Sequence, residues 1–227
     1  CVAYHDHTDK KSSYNLLKRL ANGEDVALIS DAGTPLISDP GYRLVAEARV
    51  QGYSVIPVPG ASAVVAALSV AGLPTDKFKF IGFLPAKSSQ RKSALTDLKT
   101  GAETMVCYEA PHRIVETLQD MVEVFGAKRP AFMAREITKT FETYLHGSLE
   151  KLLAQVQADS NQQRGEMVLV ISGHIGESDN VSVDAEKILG LLMKELPLTK
   201  AASVTAKITG GDKKQLYQLG LSLQDKD

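Results

Sequence analysis

The sequence predicts an α/β protein that ends in a small all-helical region, and three observations carry that prediction. Short apolar runs rich in β-branched residues alternate with stretches of helical periodicity along most of the chain. The 227 residues are 44% hydrophobic and 23% charged, enough apolar material for an ordinary packed core. After the acidic, polar stretch 174–184 (HIGESDNVSVD) the pattern becomes helical only.

Taken in order, strands are expected at 26–29, 55–58, 78–81, 104–108, 131–134 and 167–171. Their unbroken apolar character reads as strands covered on both faces, joined by right-handed crossovers. A helix is expected at 42–51, where Asp39 can cap and Pro40 suits the first turn. Residues 61–71 are small and apolar almost all round, the mark of a buried helix. Helix 112–125 carries Ile114, Leu118, Met121, Val122 and Phe125 at helical spacing, and 149–158 is a further short helix. Polar, Pro-containing stretches at 74–77 and 85–90 interrupt the first unit. They divide the chain into an α/β domain at 1–76, a second at 77–175, and a linker with helical region at 176–227. In that last region Ile188, Leu191, Leu192 and Leu196 form one apolar face. Thr199 opens a helix with Ala201, Val204 and Ile208 at matching spacing. Gly210-Gly211 breaks it, and Asp212 caps a final helix carrying Leu216, Leu219 and Leu223.

Composition excludes several function classes. A net charge of −1 rules out a globally basic nucleic-acid binder, though not a local basic patch. Two cysteines, Cys1 and Cys107, cannot build a disulfide framework or a Cys-rich metal site. No apolar run is long enough for a membrane span, and the start lacks the layout of a secretory signal, so the cytoplasm is the expected compartment. His5-x-His7 is the only close histidine pair, and without a third clustered ligand no metal is expected. G-x-G-x-x-G, Walker A, C-x-x-C and G-x-S-x-G are all absent.

Chemistry concentrates in five loops at strand ends. Residues 30–41 (SDAGTPLISDPG) follow the strand at 26–29, where open α/β sheets bind ligands, and Gly33 lets the backbone approach one closely. Residues 57–63 (PVPGASA) repeat the arrangement, though close helix–sheet packing explains their small residues equally well. Residues 108–113 (YEAPHR) offer His112 as a base near neutral pH and Arg113 as an anion clamp, against capping and surface pairing. Residues 134–142 (AREITKTFE) set Arg135, Ile137, Lys139 and Phe141 on one face of an extended segment and Glu136 and Glu142 on the other. Such a charge cluster is costly unless exposed, paired or used. Residues 164–169 (RGEMVL) are a glycine turn feeding a buried strand.

Read together, SDAGTPLISDPG, PVPGASA, GFLPAK, YEAPHR, AREITKTFET and RGEMVLVI resemble the tetrapyrrole methylase family, and within it the branch that methylates small-subunit ribosomal RNA. The resemblance runs from His5-Asp6-His7 to about Leu221, and six motifs in one order make coincidence improbable. It implies two α/β domains with S-adenosylmethionine in the cleft between them, a homodimer, and methylation of a cytidine ribose 2′-oxygen in the decoding region of small-subunit rRNA. It implies that Asp31, Ala32, Gly33, Thr34 and Pro35, with Pro59, Gly60, Ala61 and Ser62, border the cofactor from the first domain. Tyr108, Glu109, Arg135, Gly165, Glu166 and Met167 then lie on the second-domain side. The family's first βα units, with a strand and loop like YIVPTPIGNL and an EDTR segment, have no counterpart here, so the chain is expected to be a truncated form that binds cofactor poorly or not at all.

The implied reaction is attack of a ribose oxygen on a sulfonium methyl group, where positioning is the main task of the protein. Glu136, Glu142 and Lys139 are the candidates for accepting or screening the proton, with Arg135 orienting a phosphate or carboxylate. A lysine acting as base needs a depressed pKa. For RNA contact the candidates are Lys87, Arg91, Lys92 and Arg113, and the tail residues Lys200, Lys207, Lys213 and Lys214. Two rivals remain at this stage: a tetrapyrrole C-methyltransferase of the same fold, and a non-catalytic RNA- or ribosome-binding module.

Overall fold

The computed structural model describes residues 1–4, 10–174 and 183–224. The histidine pair His5-x-His7 and most of the expected linker at 174–184 lie outside the described residues. The chain forms two compact units, Cys1–His174 and Ile175–Asp227.

The first unit opens with helices α1 (Lys10–Ala21), α2 (Tyr42–Val50) and α3 (Ala63–Ala71). There follow β1 (Phe78–Phe83), α4 (Ser88–Leu98), β2 (Thr104–Glu109), α5 (Ile114–Phe125), β3 (Pro130–Arg135), β4 (Thr143–Ser148), α6 (Leu149–Ala158) and β5 (Met167–Ile171). The five strands make one sheet in the order β1-β2-β5-β3-β4. Alternation assigns its faces. Met105, Cys107, Met133, Leu169 and Ile171 pack toward Leu118, Met121, Leu149 and Leu152 of α5 and α6. Val106, Phe132, Ala134, Val168 and Val170 pack toward Val64, Ala67 and Leu68 of α3. The middle of each central strand is therefore apolar because both faces are covered.

The topology departs from an all-parallel sheet. Among the described residues the only parallel pair is β1 with β2; β5 inserts between β2 and β3 antiparallel to both, and β4 returns beside β3 as a hairpin. The segments at 26–29 and 55–58 form no ladder among the described residues. Ile29, Ile56 and Val58 are 77%, 79% and 85% exposed. β-branched composition favours an extended backbone, but a strand also needs a neighbour to bond. Two helices escaped the sequence pattern. In α1, Leu17 packs on Leu44 and Ala48 of α2. In α4 the inward positions are Arg91 and Leu95, and a buried arginine hides the apolar period.

Arg91 has no exposed surface. Its Nε donates to Asp120 Oδ2 at 2.7 Å and its Nη1 to the Ala86 carbonyl at 3.1 Å, while Ser88 Oγ donates to Asp120 Oδ1 at 3.0 Å. This pair joins α4 and the turn before it to α5.

The described residues of the second unit form three helices, α7 (Val183–Met193), α8 (Leu198–Thr209) and α9 (Lys213–Gln224). Its core is Ala185, Leu189, Ala201, Ala202 and Leu216. The expected faces hold in part: Ala201 and Leu216 are buried and Leu192, Leu196 and Leu219 pack against them, whereas Leu191 is 65% exposed and Ile208 62%. Asp212 does cap α9, its Oδ1 accepting from the amides of Lys214 and Gln215 at 2.8 and 3.0 Å. Among the described residues no helix is long and apolar enough to cross a membrane.

Removing one member of a buried ion pair strands the other, at a cost of about 3–5 kcal/mol. Asp120→Ala is expected to lower unfolding free energy by about that amount in urea titration, and a loss of under about 1 kcal/mol would show that Arg91 finds a replacement partner.

Candidate functional site

Five strand ends meet at one edge of the sheet. β1, β2 and β3 finish at Phe83, Glu109 and Arg135, while β4 and β5 begin at Thr143 and Met167. The register sets Met167 opposite Glu109 on one side and Arg135 on the other, with Arg135 opposite Thr143. The motifs around 84–87, 110–113, 136–142 and 164–166 are thus carried to the same end by backbone pairing. Tyr108 stands there with its ring edge-on to Phe80 and Phe83, at centroid distances of 5.0 and 5.6 Å. Burial, and secondarily the charge of Asp39, push its hydroxyl pKa up.

Loops from the first part of the chain close on each other. Thr34 Oγ1 donates to the Ala61 carbonyl at 2.9 Å, and Gly33 and Gly60 both face this contact. A methyl group on Gly82 would lie 3.7 Å from Ser38 Oγ, so the 30–41 loop also reaches the end of β1. Asp39 does not cap α2. Gly41 precedes that helix at φ 132, and any β-carbon there would sit 2.6 Å from Leu28 Cδ2. Only glycine meets both demands.

The 136–142 connection is held from within. Glu136 and Thr138 have φ of 52 and 67, left-handed values that cost a non-glycine residue about 1–3 kcal/mol each. Glu136 Oε1 accepts from the Glu166 amide at 2.8 Å and from Lys139 Nζ at 2.9 Å, and Lys139 Nζ also donates to Glu166 Oε2 at 3.0 Å. Glu142 Oε2 accepts from the Thr138 amide at 2.6 Å. The Glu166 amide and then Lys139 hold the Glu136 carboxyl below its ordinary range. Glu136 and Glu166 together raise Lys139. That corrects the expectation of Lys139 as a base, which requires the opposite shift. Arg135 is 7% exposed. Its Nη2 donates to Thr143 Oγ1 at 3.0 Å and its Nη1 to the Arg164 carbonyl at 3.4 Å.

Four further expectations need correcting. Glu109 faces the interior, its carboxylate accepting from Thr117 Oγ1 at 2.6 Å and the Ala110 amide at 2.7 Å, so its side chain is committed to the fold. Arg113 bonds Glu109 at 3.1 Å and the Leu84 carbonyl at 2.6 Å, which removes it as an RNA contact. Arg91 is removed likewise by its pairing with Asp120. Lys92 stays partly exposed but is matched by Glu123 at 2.6 Å and Asp120 at 3.7 Å. Lys87, Lys200, Lys207, Lys213 and Lys214 are exposed, as is His112. The clamp of Glu136 on Gly165 went unread in the sequence; glycine two residues before a buried strand was its only trace.

Comparison with known proteins gives concordant matches. Residues 4–153 match the family model of the tetrapyrrole (corrin/porphyrin) methylases, and residues 179–224 that of the RsmI C-terminal HTH domain. Ribosomal RNA small subunit methyltransferase I of Pseudomonas aeruginosa is 51% identical over 99% of this chain and 80% of its own length. The protein of that name from Escherichia coli O157:H7 is 47% identical over 98% and 78%. Among solved structures, the methyltransferase CobJ aligns with TM-score 0.55 at 19% identity, covering 74% of this chain and 72% of its own. Diphthine synthase aligns with TM-score 0.53 at 17% identity over 73% and 67%. These structural likenesses concern the fold.

A carboxyl with a lowered folded-state pKa stabilises fully above its ordinary value and loses that contribution as the pH falls through the lowered one. The stability difference between wild type and Glu136→Gln is therefore expected to shrink as the pH drops below the ordinary carboxyl value of 4.5. Chemical denaturation across that interval checks it; a difference that stays constant would contradict the pairing.

Proposed function

Because the chain belongs to the tetrapyrrole methylase family, and within it to the ribosomal RNA small subunit methyltransferase I group, we propose that it transfers a methyl group from S-adenosylmethionine to the ribose 2′-oxygen of a cytidine in the decoding region of small-subunit rRNA. The observation that carries this reading is the 51% identity across 99% of the chain to a protein of that name.

The residues present fit such a cofactor. Arg135 Nε is buried with no hydrogen-bond partner among the described residues, a spare cationic donor beside the 164–167 segment. A buried guanidinium of this kind suits a carboxylate such as that of the methionyl group. When bound, S-adenosylmethionine supplies a methyl carbon already activated by its sulfonium. The chain's own share is to hold and orient, worth up to about 7–11 kcal/mol of a barrier. Residues 31–35 and 59–62 are proposed as one wall, from the domain at 1–76, and Tyr108, Arg135 and 165–167 as the other, from the domain at 77–175. Glu142, which touches Thr138, is the remaining candidate to accept the 2′-hydroxyl proton.

Lys87 and the tail lysines Lys200, Lys207, Lys213 and Lys214 are proposed as phosphate contacts, since exposed cations confer affinity for a polyanion through counterion release. A cytoplasmic homodimer completes the reading, as the family resemblance implies.

Methyl transfer from labelled cofactor to purified 30S subunits tests the proposal. A single 2′-O-methylcytidine in the decoding region is the expected product, and label on uroporphyrinogen with none on the subunit would refute it. In the same assay the Lys213→Glu/Lys214→Glu variant is expected to raise KM for 30S subunits and leave cofactor affinity intact.

A further inference from the structure

We propose that Glu136 is a positioning residue, which with Lys139 and Gly165 clamps the 164–167 segment to the end of β3 and so sets where the methyl donor is held. The donor half of this inference rests on the methyl-transfer reading above; the clamp stands on geometry alone. Two successive residues strap one short segment. Arg135 reaches the Arg164 carbonyl, and Glu136 takes the Glu166 amide at 2.8 Å on its carboxylate while its own amide donates to the Glu166 carbonyl at 2.9 Å. The Glu136 side chain lies directly over Gly165, where a β-carbon would fall 2.5 Å from its Cγ and Cδ. Gly165 itself has φ 80, so the position excludes other residues twice over, by conformation and by space.

Lys139 completes the clamp by bridging Glu136 and Glu166, at 2.9 and 3.0 Å, across the gap between the hairpin and the approach to β5. Left-handed backbone at Glu136 and Thr138 persists only where surrounding bonds over-determine it. Here the bonds of Glu136 converge on the chain leading into Met167, while Glu142 holds Thr138 within the connection. A carboxylate already accepting two hydrogen bonds and held in its charged form is a poor proton acceptor but a strong anchor. Met167, the next residue along, is paired with both Glu109 and Arg135, so a displacement at 165–166 reaches the sheet edge directly.

The test uses the full chain with Glu136→Ala, Glu136→Gln and, as a milder change, Lys139→Met. Hydrogen exchange at the Glu166 amide, read without cofactor or RNA, reports the clamp itself. Calorimetry with S-adenosylmethionine and the pH profile of kcat on 30S subunits report its consequence. Glu136→Ala is expected to lose protection at Glu166 and to weaken cofactor binding about tenfold or more. Its kcat at saturating cofactor should stay within about threefold of wild type and its pH profile should not change. Glu136→Gln, which keeps an acceptor oxygen, should recover most of the affinity, and Lys139→Met should fall between. Unchanged exchange at Glu166 overturns the clamp, and so does intact cofactor affinity with a collapsed kcat and a lost pH limb, the signature of a proton acceptor. A wild type with a protected Glu166 amide that neither binds cofactor nor methylates 30S subunits overturns the methyl-transfer reading and the donor half with it, and leaves the clamp standing.

Discussion

Strand β5 is the constraint on which the site depends. All five of its residues are buried, and it is hydrogen-bonded along both edges, to β2 and to β3. Its register therefore fixes how Glu109, Met167 and Arg135 line up. A slip of one residue would send Val168 and Val170 to the face now filled by Leu169 and Ile171, and both cores would be lost. Packing cost thus guards the alignment of loops that contribute little packing themselves. The chemistry inherits its geometry from the hydrophobic pattern of a short strand.

Around that alignment, charged side chains serve the scaffold more than the surface. Arg91 with Asp120, and Arg113 with Glu109, each seat a guanidinium against a carboxylate and backbone carbonyls close behind the sheet edge. Both arginines fix the turns that follow β1 and β2. Each of the three has a buried nitrogen that makes no hydrogen bond among the described residues, but those of Arg91 and Arg113 lie 3.7 and 3.1 Å from the carboxylates of Glu116 and Glu109, whereas Arg135, paired in register with Met167, forms no ion pair among the described residues. An arginine whose anion the fold does not supply keeps a donor to spare.

Much of this was legible in the sequence, for physical reasons that also mark where reading stopped. The strands near 104, 131 and 167 announce themselves because both faces are buried, which leaves continuous apolar runs, while the one near 78 carries the same signal though it is only partly covered. The capping of the last helix by Asp212 is local and follows from residue type. Segments 26–29 and 55–58 carry the same apolar signal, yet strand formation depends on a neighbour that composition cannot reveal. Arg91 reads as a surface cation beside Lys92, and its burial becomes visible only once Asp120 is brought across from another helix. The inward face of α8, built on Ala201, Ala202 and Thr205, was hidden by the larger side chains Val204 and Ile208 on the outside. The role of Glu136 lay furthest from view, because it arises from a contact with a glycine.

Backbone pairing at Met167 and the loop resting on Ala61 are proposed to make one receptacle for a charged methyl donor. A crystal structure with S-adenosylhomocysteine bound tests that most directly. Ligand density is expected to touch residues 31–35 and 59–62 on one side and Arg135 and 165–167 on the other, with a carboxylate at Arg135 Nε. Density lodged elsewhere on the molecule, with Arg135 still lacking an anion, would contradict it.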